Sequence, residues 1–228
     1  MARLVNNVLG DISGKMDNII FRRMNGKNFV SVRPKKYIVV KKKNEVASKS
    51  KFAVVVKFCS YVNSIPQLHE VWKHANLPET NAYTRLIKQN NHFVSPDNPT
   101  TSNIITPASD IHFISDIEFS DSEIILFLDN SFSTIKNKIK ASTLVCFFCF
   151  CQPKNKKSPA FSFYHTIQKF ESVNRTENNR IIVRITPEIN KMGKGYQKLI
   201  CYASILFSKK DKNHLSASST FSKTSSLL

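Results

Sequence analysis

The run Leu144–Phe150 constrains the fold of this chain more than any other stretch, because every position in it is apolar. The run contains three phenylalanines and no charged residue. Successive side chains of a β-strand point to opposite faces, so a strand made of this run is apolar on both faces. An exposed strand of this kind is an aggregation hazard. We therefore expect it to be buried on both sides, either in the fold or at a subunit interface. We favour the fold, because monomers rarely expose large apolar patches.

Strand-like segments dominate the second half of the chain, with turn-forming residues between them. In Leu199–Phe207 both faces are partly apolar, which indicates a central strand or a face covered by a neighbour. About seven short strands at this spacing predict an immunoglobulin-like β-sandwich. The predicted strands are 111–120, 123–128, 144–152, 162–170, 180–186, 198–208 and 216–222.

Helical patterns precede this β-rich half. A second helix is predicted over 67–74, where Pro66 takes a favourable first-turn position, and a third over 80–90. The first helix is predicted over 46–63, because five apolar residues fall on one helical stripe. These residues are Phe52, Val55, Val56, Cys59 and Val62.

The predicted fold class is therefore mainly β (α+β), with an N-terminal β-hairpin arm and short helices before the sandwich. Residues 95–107 have the Pro, Asn, Ser and Thr content of a linker. The predicted parts are a basic β-hairpin arm over 1–43, a short helical segment over 44–94, the linker over 95–107 and a β-sandwich domain over 108–228.

The arm is predicted from two strand-like segments, 18–23 and 28–33, that flank an Asn-Gly pair. Asn25-Gly26 is a strong hairpin signal, because a type I′ turn needs positive φ at both central positions. Pro34 ends the second strand, since proline cannot donate a hydrogen bond to the ladder. Tyr37–Val40 is predicted to add one more strand.

A longer residue pattern includes the hairpin and runs from Gly10 to Pro34 as GDISGKMDNIIFRRMNGKNFVSVRP. In this pattern the chain resembles a family of uncharacterised bacterial and phage-associated proteins, the DUF6266-like group, which is common in Bacteroidetes-type genomes. The resemblance covers the first half well and the second half in outline, and Asp17 stands where a small residue such as glycine is expected. It implies a hairpin, a helical segment, a C-terminal β-sandwich and a structural or virion-linked role without catalytic residues. The resemblance continues in Leu68–Lys73, Asn81–Tyr83, Lys88–Asn90 and Asn103–Pro107.

Positive charge is concentrated at the start of the chain. The net charge is +18, and residues 1–60 hold 14 Lys and Arg against 3 Asp and Glu. One interpretation is the residue usage of an AT-rich genome, and the other is a basic surface for a polyanionic partner such as DNA. If the surface is functional, the predicted nucleic-acid contacts are Arg22, Arg23, Arg33, Lys35, Lys36, Lys41, Lys42 and Lys43, with Phe21, Phe29 and Tyr37 interleaved for stacking.

The sequence contains no pattern that indicates an enzyme, a cofactor or a metal site. Gly10–Lys15 lacks the glycine spacing and the following Ser or Thr of a phosphate loop. Asp110 and His112 would share a strand face, but no nucleophile pattern accompanies them. Cys146 and Cys149 have no second ligand pair for zinc and would face opposite sides of a strand. We expect all five cysteines to be buried structural thiols.

We therefore expect a non-enzymatic structural or assembly protein, a subunit of a phage virion (capsid, portal-neck or tail) or similar particle. Its partners would be further copies or other particle subunits, with no small-molecule substrate evident. Without a signal peptide or a run of about 18 apolar residues, we expect it in the cytoplasm of the producing cell or within the particle. The alternative is a sequence-nonspecific nucleic-acid-binding protein, and a weaker option is a carbohydrate-binding sandwich using Tyr164, Tyr196 and Tyr202. The predicted assembly-arm residues are Gly10, Gly14, Phe21, Asn25, Gly26 and Phe29.

Overall fold

The computed structural model separates the chain into two compact units, an arm over 1–42 and a body over 43–228. The structure describes residues 2–3, 14–24, 27–32, 43–120, 122–130, 132, 139–170, 179–209 and 214–227.

The described part of the arm is a four-stranded antiparallel sheet in the order β1-β4-β3-β2. The predicted hairpin is confirmed, because β3 pairs with β4 and places Met24 opposite Lys27. The Asn-Gly turn between them and the strand predicted over Tyr37–Val40 lie outside the described residues. The strands are β1 Ala2–Arg3, β2 Gly14–Met16, β3 Ile19–Met24 and β4 Lys27–Val32.

A second tight turn joins β2 to β3, with Met16 opposite Ile19. Asp17 in this turn has a φ of 49°, in the left-handed region. A short polar side chain tolerates this region because it bonds locally, and a glycine, which the resemblance leads one to expect here, would adopt it without steric cost.

Three helices open the body: α1 Lys43–Ser64, α2 Pro66–Lys73 and α3 Ala82–Asn90. The apolar stripe of α1 runs through Val55, Phe58 and Val62, which are fully buried. Phe52, predicted to lie on this stripe, is instead 54% exposed. Asn81 caps α3, since its side chain accepts a hydrogen bond from the backbone of Thr84 at 2.9 Å.

The rest of the body forms two antiparallel sheets. The larger has the order β11-β10-β7-β8, with β12 also paired to β10, and the smaller has the order β5-β6-β9. The strands are β5 Ile114–Phe119, β6 Glu123–Leu128, β7 Ile139–Pro153, β8 Phe161–Phe170, β9 Arg180–Arg184, β10 Tyr196–Lys209, β11 Leu215–Ala217 and β12 Phe221–Ser226, and a fourth helix, α4 Pro187–Gly193, precedes β10.

Strands β7 and β10 form the centre of the body. Phe147 and Cys149 on one face of β7 pack in a cluster with the three helices, whereas Phe148 and Phe150 on the other face pack against the smaller sheet. All four side chains have no exposed surface. The prediction that Leu144–Phe150 is buried on both sides within the fold is therefore confirmed.

The helices and the strands share one core, so the segment 95–107 does not separate two domains. Trp72 Nε1 donates to the Ile105 carbonyl at 2.8 Å, and the Tyr202 hydroxyl donates to the Thr100 carbonyl at 2.6 Å. These bonds hold the predicted linker between α2 and the larger sheet, which corrects the predicted boundary between 44–94 and 108–228.

The mainly β class is confirmed, with helices as a minor component. The two sheets of the body pack face to face, as in a sandwich. The outer face of the larger sheet, however, is covered by α1 to α3. The immunoglobulin-like arrangement is therefore not confirmed.

Candidate functional site

The arm sheet is the part of the molecule in which the predicted contact residues lie. Residues directly opposite each other in an antiparallel pair share a face, and successive residues of one strand alternate between faces. The register of β2, β3 and β4 therefore divides the described side chains into two sets. One set is mostly apolar but includes Arg23 and Asn28, and the other set includes Lys15, Arg22 and Lys27.

The apolar face contains a row of three exposed aliphatic side chains. Met16 lies opposite Ile19, and Ile19 lies opposite Val32. Met16 is 67% exposed, Ile19 39% and Val32 74%. The half-buried Phe21 and Val30 form the next row on the same face. We call the first set, Met16, Ile19 and Val32, the apolar row.

The basic face lies on the opposite side of the same strands. Lys15 is opposite Ile20, and Arg22 is opposite Phe29. Lys15, Arg22 and Lys27 are exposed, while Ile20 and Phe29 are half-buried between them. Among the described side chains, this face therefore presents three cations around one aromatic ring.

The structure separates two arginines that the sequence grouped together. Arg22 and Arg23 are both exposed in β3, but consecutive residues of a strand face opposite sides. Arg22 belongs to the basic face, whereas Arg23 lies on the apolar face, opposite Asn28. Lys43 begins α1 in the body. The other predicted contacts, Arg33, Lys35, Lys36, Lys41 and Lys42, lie outside the described residues.

The predicted assembly residues are divided in the same way. Phe21 lies on the apolar face and Phe29 on the basic face. Gly14 begins β2 with a φ of 128°, a backbone conformation that residues with a side chain rarely adopt. Gly10, Asn25 and Gly26 lie outside the described residues.

Sequence reasoning missed the apolar row and two of the three exposed cations of the basic face, Lys15 and Lys27. The signal that could have found them is the register. A two-residue connection that places Met24 opposite Lys27 fixes every later pair of β3 and β4, and hence the face of each side chain.

The thiols of the body are buried and free, as predicted. Cys146 and Cys149 belong to clusters on opposite faces of the larger sheet, so the C-x-x-C spacing does not bring them together. Cys149 Sγ and Cys151 Sγ lie 3.4 Å apart on the face toward the helices. Burial raises the pKa of Cys59 to about 12, which leaves the thiol protonated and unreactive at neutral pH.

One pair of catalytic residue types does come together. Ser219 Oγ lies 2.6 Å from His112 Nδ1, although the sequence offered no nucleophile for that histidine. The hydroxyl of Ser219 also lies 3.2 Å from the Ile111 carbonyl, and its backbone N donates to the same carbonyl at 2.8 Å. These bonds fasten the segment before β12 to residues 111–112. Within the described ranges, no three His, Cys, Asp or Glu side chains are grouped to hold a metal ion.

Two of the tyrosines considered for carbohydrate binding are buried. Tyr202 has no exposed surface, and Tyr196 is 6% exposed. The Tyr196 hydroxyl lies 2.7 Å from Ser162 Oγ, so both rings serve packing and internal hydrogen bonds rather than a sugar-stacking surface.

Segments quoted for the family resemblance meet in a buried polar network. Asn90 Nδ2 donates to the carbonyls of Leu86 and Ile104, and Asn90 Oδ1 accepts from Asn103 Nδ2 and from Ile104 N. Thr106 Oγ1 donates to the Ser218 carbonyl at 3.0 Å. These residues hold the segment after α3 in place, so their role here is structural.

No family model, no curated protein and no solved structure matches this chain. The resemblance to the DUF6266-like group stays a prediction from the residues quoted above. None of the helices in the described ranges combines the length and apolar content that crossing a membrane requires.

Proposed function

We propose that this chain is a non-enzymatic structural or assembly protein, a subunit of a phage virion (capsid, portal-neck or tail) or of a similar multi-subunit particle. In this proposal the arm makes the inter-subunit contact, and its neighbour is a second copy of the chain. The observation that carries the proposal is the exposed apolar row. The virion setting is supported by the residue pattern over Gly10–Pro34, and it would locate the protein in the cytoplasm of the producing cell or inside the particle.

A partner that covers the apolar row removes its side chains from water. Fully burying one aliphatic side chain is worth about 1.5–3 kcal/mol, so three in one row are a substantial gain for any partner that covers them. Sheets pack face to face through such rows, with side chains of the two inner faces interdigitating. A second copy offers the same row about a two-fold axis, and an uncharged row opposes itself without repulsion.

Light scattering over a series of protein concentrations tests this proposal. We expect the wild-type mass to rise with concentration, and we expect the triple variant Met16→Ser, Ile19→Thr, Val32→Thr to remain at the monomer mass. The matched control, Lys15→Ser, Arg22→Ser, Lys27→Ser, changes three residues of the opposite face and should assemble like the wild type. A wild type that stays monomeric throughout, or an apolar-row variant that assembles normally, contradicts the proposal.

The alternative function is sequence-nonspecific nucleic-acid binding through the basic face. Lys15, Arg22 and Lys27 are the groups that neutralise phosphates, and Phe29 is the aromatic ring between them on which a base could stack. The two faces point in opposite directions, so a subunit could contact a neighbour and packaged DNA at once.

A salt titration of DNA affinity tests the alternative. Each lost phosphate contact lowers the salt slope by about 1, so the triple basic-face variant should lose about 3 units of slope. The apolar-row variant should keep the wild-type slope. Absent binding, or binding that does not respond to salt, contradicts this function.

A further inference from the structure

A cavity of about 360 Å³ that is partly open to solvent lies in the body, beside the C-terminal end of α2. Residues of α2 and α3, of the segment 107–109 and of β11 line it. Val71, Leu77 and Leu215 are among the apolar residues of the lining. Small-molecule sites have volumes of roughly 300–1,000 Å³ and apolar walls with a few polar groups, so both size and composition fit such a site.

Three polar side chains of the lining have no internal role. The amides of Asn76 and Gln89 and the hydroxyl of Ser216 form no hydrogen bond with any residue in the described part of the chain. A side-chain amide offers a carbonyl acceptor and two N–H donors in one plane. Asn76 and Gln89 are therefore placed to bind both donors and acceptors on a ligand.

Two stacked imidazole rings complete the lining. The rings of His74 and His214 lie 5.5 Å apart between centroids, with their planes within 24°. His74 Nε2 lies 2.7 Å from Glu70 Oε1, which fixes the first ring. Flat rings of ligands stack on aromatic side chains, histidine included.

Among the described residues, the lining includes no lysine, arginine, aspartate or glutamate. Burying an unpaired charge in such a place is costly. The described lining therefore supplies no side chain of its own to pair with a charged group, which favours an uncharged ring.

We infer that this cavity binds a nucleobase, a flat uncharged ring with hydrogen-bond donors and acceptors along its edge. Asn and Gln amides pair with base edges, and imidazole rings stack on base faces. The base would come from a free nucleoside or from an unpaired position of a single strand. The site lies in the body, and none of its described lining residues belongs to the arm.

The test is a titration of the full-length protein with adenosine, guanosine, cytidine and uridine in turn. Ligand-observed NMR measures the binding of each nucleoside. We expect saturable binding of at least one nucleoside. Gln89→Met removes the amide at similar volume and His214→Leu removes the ring, and each should weaken binding about tenfold. The matched controls Gln197→Met and His92→Leu change exposed residues outside the cavity and should bind like the wild type.

Thermal melting of each variant establishes that it is folded before it is titrated. No saturable binding of any of the four nucleosides to the wild type overturns the inference. Wild-type affinity in both folded cavity variants, Gln89→Met and His214→Leu, overturns it as well.

Competition with single-stranded oligonucleotides at high salt distinguishes the two sources of the base. Displacement of the nucleoside by a base-containing strand, but not by an abasic strand of the same length, assigns the site to unpaired bases. Displacement by neither strand assigns it to free nucleosides. Equal displacement by both strands shows that phosphate is recognised, which contradicts base recognition.

Discussion

The larger sheet of the body and the sheet of the arm are both antiparallel, but only the first is covered on both faces. Phe147 and Phe148 are neighbours in β7, point to opposite faces and have no exposed surface. In the arm, Val32 on one face is 74% exposed, and Arg22 on the other face is exposed as well.

The difference shows what a sheet needs from the rest of its chain. The body covers its central strands with α1 to α3 on one side and a second sheet on the other. The described arm strands are only two to six residues long and do not supply a second layer. The body therefore covers its own central strands, while the apolar row of the arm stays exposed, as the proposed contact with a second copy requires.

The largest expected effect is the protection of the thiols in the body. Alkylation needs a thiolate and access, so the five buried cysteines should react only when the body opens, on the order of 10³-fold or more slower than in denaturant. A cysteine placed in the arm by Val32→Cys should react rapidly at low protein concentration. Mass spectrometry after timed alkylation measures both rates.

Fast native labelling of Cys59 or Cys201, or protection of the arm thiol at every concentration, would contradict the comparison.

The next largest effect concerns the packing of the body core. Phe147 contacts the rings of Phe58 at 5.4 Å and Phe163 at 5.2 Å between centroids. Phe147→Ala should lower the free energy of unfolding by about 3–5 kcal/mol, whereas Val32→Ala should change it by less than about 0.5 kcal/mol. Urea unfolding followed by circular dichroism measures both values. Equal losses in the two variants would show that the arm and the body form one cooperative core.

An intermediate loss of stability is expected when the buried polar network around Asn90 is broken. Asn90→Leu leaves the Ile104 backbone N and Asn103 Nδ2 without their acceptor, which should cost about 1–3 kcal/mol of unfolding free energy. Asn91→Leu, at the exposed neighbouring position, is the matched control and should cost far less. The same urea experiment measures the pair, and a similar cost for both would argue against the network.

The smallest effect is expected at an exposed ion pair. Lys223 Nζ lies 2.7 Å from Asp116 Oδ1, and this hydrogen bond, followed by the one from Ile117 N, lowers the pKa of Asp116. The folded pKa lies below the unfolded one. The pair therefore adds stability above the unfolded pKa of about 3.9, and this stability is lost as the pH falls through the folded pKa.

Lys223→Ala should thus reduce stability at pH 7 by less than about 1 kcal/mol, because both partners are partly exposed and screened. The difference from the wild type should vanish well below pH 3.9, which thermal melts at the two pH values would show. Lys191→Ala, at an exposed position of α4, is the control. An equal difference at both pH values would rule out the ion pair as its cause.

The central part of the fold could be predicted from the sequence because its signal is local. Strands β7 and β10 are apolar on both faces, and this alone requires two covering layers. What covers them could not be predicted, since the helices contact the sheet through residues that are far apart in sequence, such as Phe58 and Phe147. The segment predicted as one strand over 216–222 is two, β11 and β12, both paired to β10. Its serine-rich sequence has no apolar alternation that could show the break.

The candidate site could be predicted only in outline. Charge and the Asn-Gly turn located the arm, but the predicted contacts were chosen by charge without regard to the face on which they lie. Arg23 was therefore grouped with Arg22, although the register places them on opposite faces. The cavity beside α2 brings together His74, Gln89 and His214, which no sequence spacing connects.

Amide hydrogen exchange at several protein concentrations tests the central claim most directly, because it reports on the arm and the body of the intact chain together. We predict that the amides of β7 and β10 are strongly protected at every concentration. The amides of β3 and β4 should exchange rapidly in dilute solution and become protected as the concentration rises. Full protection of β3 and β4 at the lowest concentration, or rapid exchange there at the highest, would contradict an arm that is stabilised by a neighbouring copy.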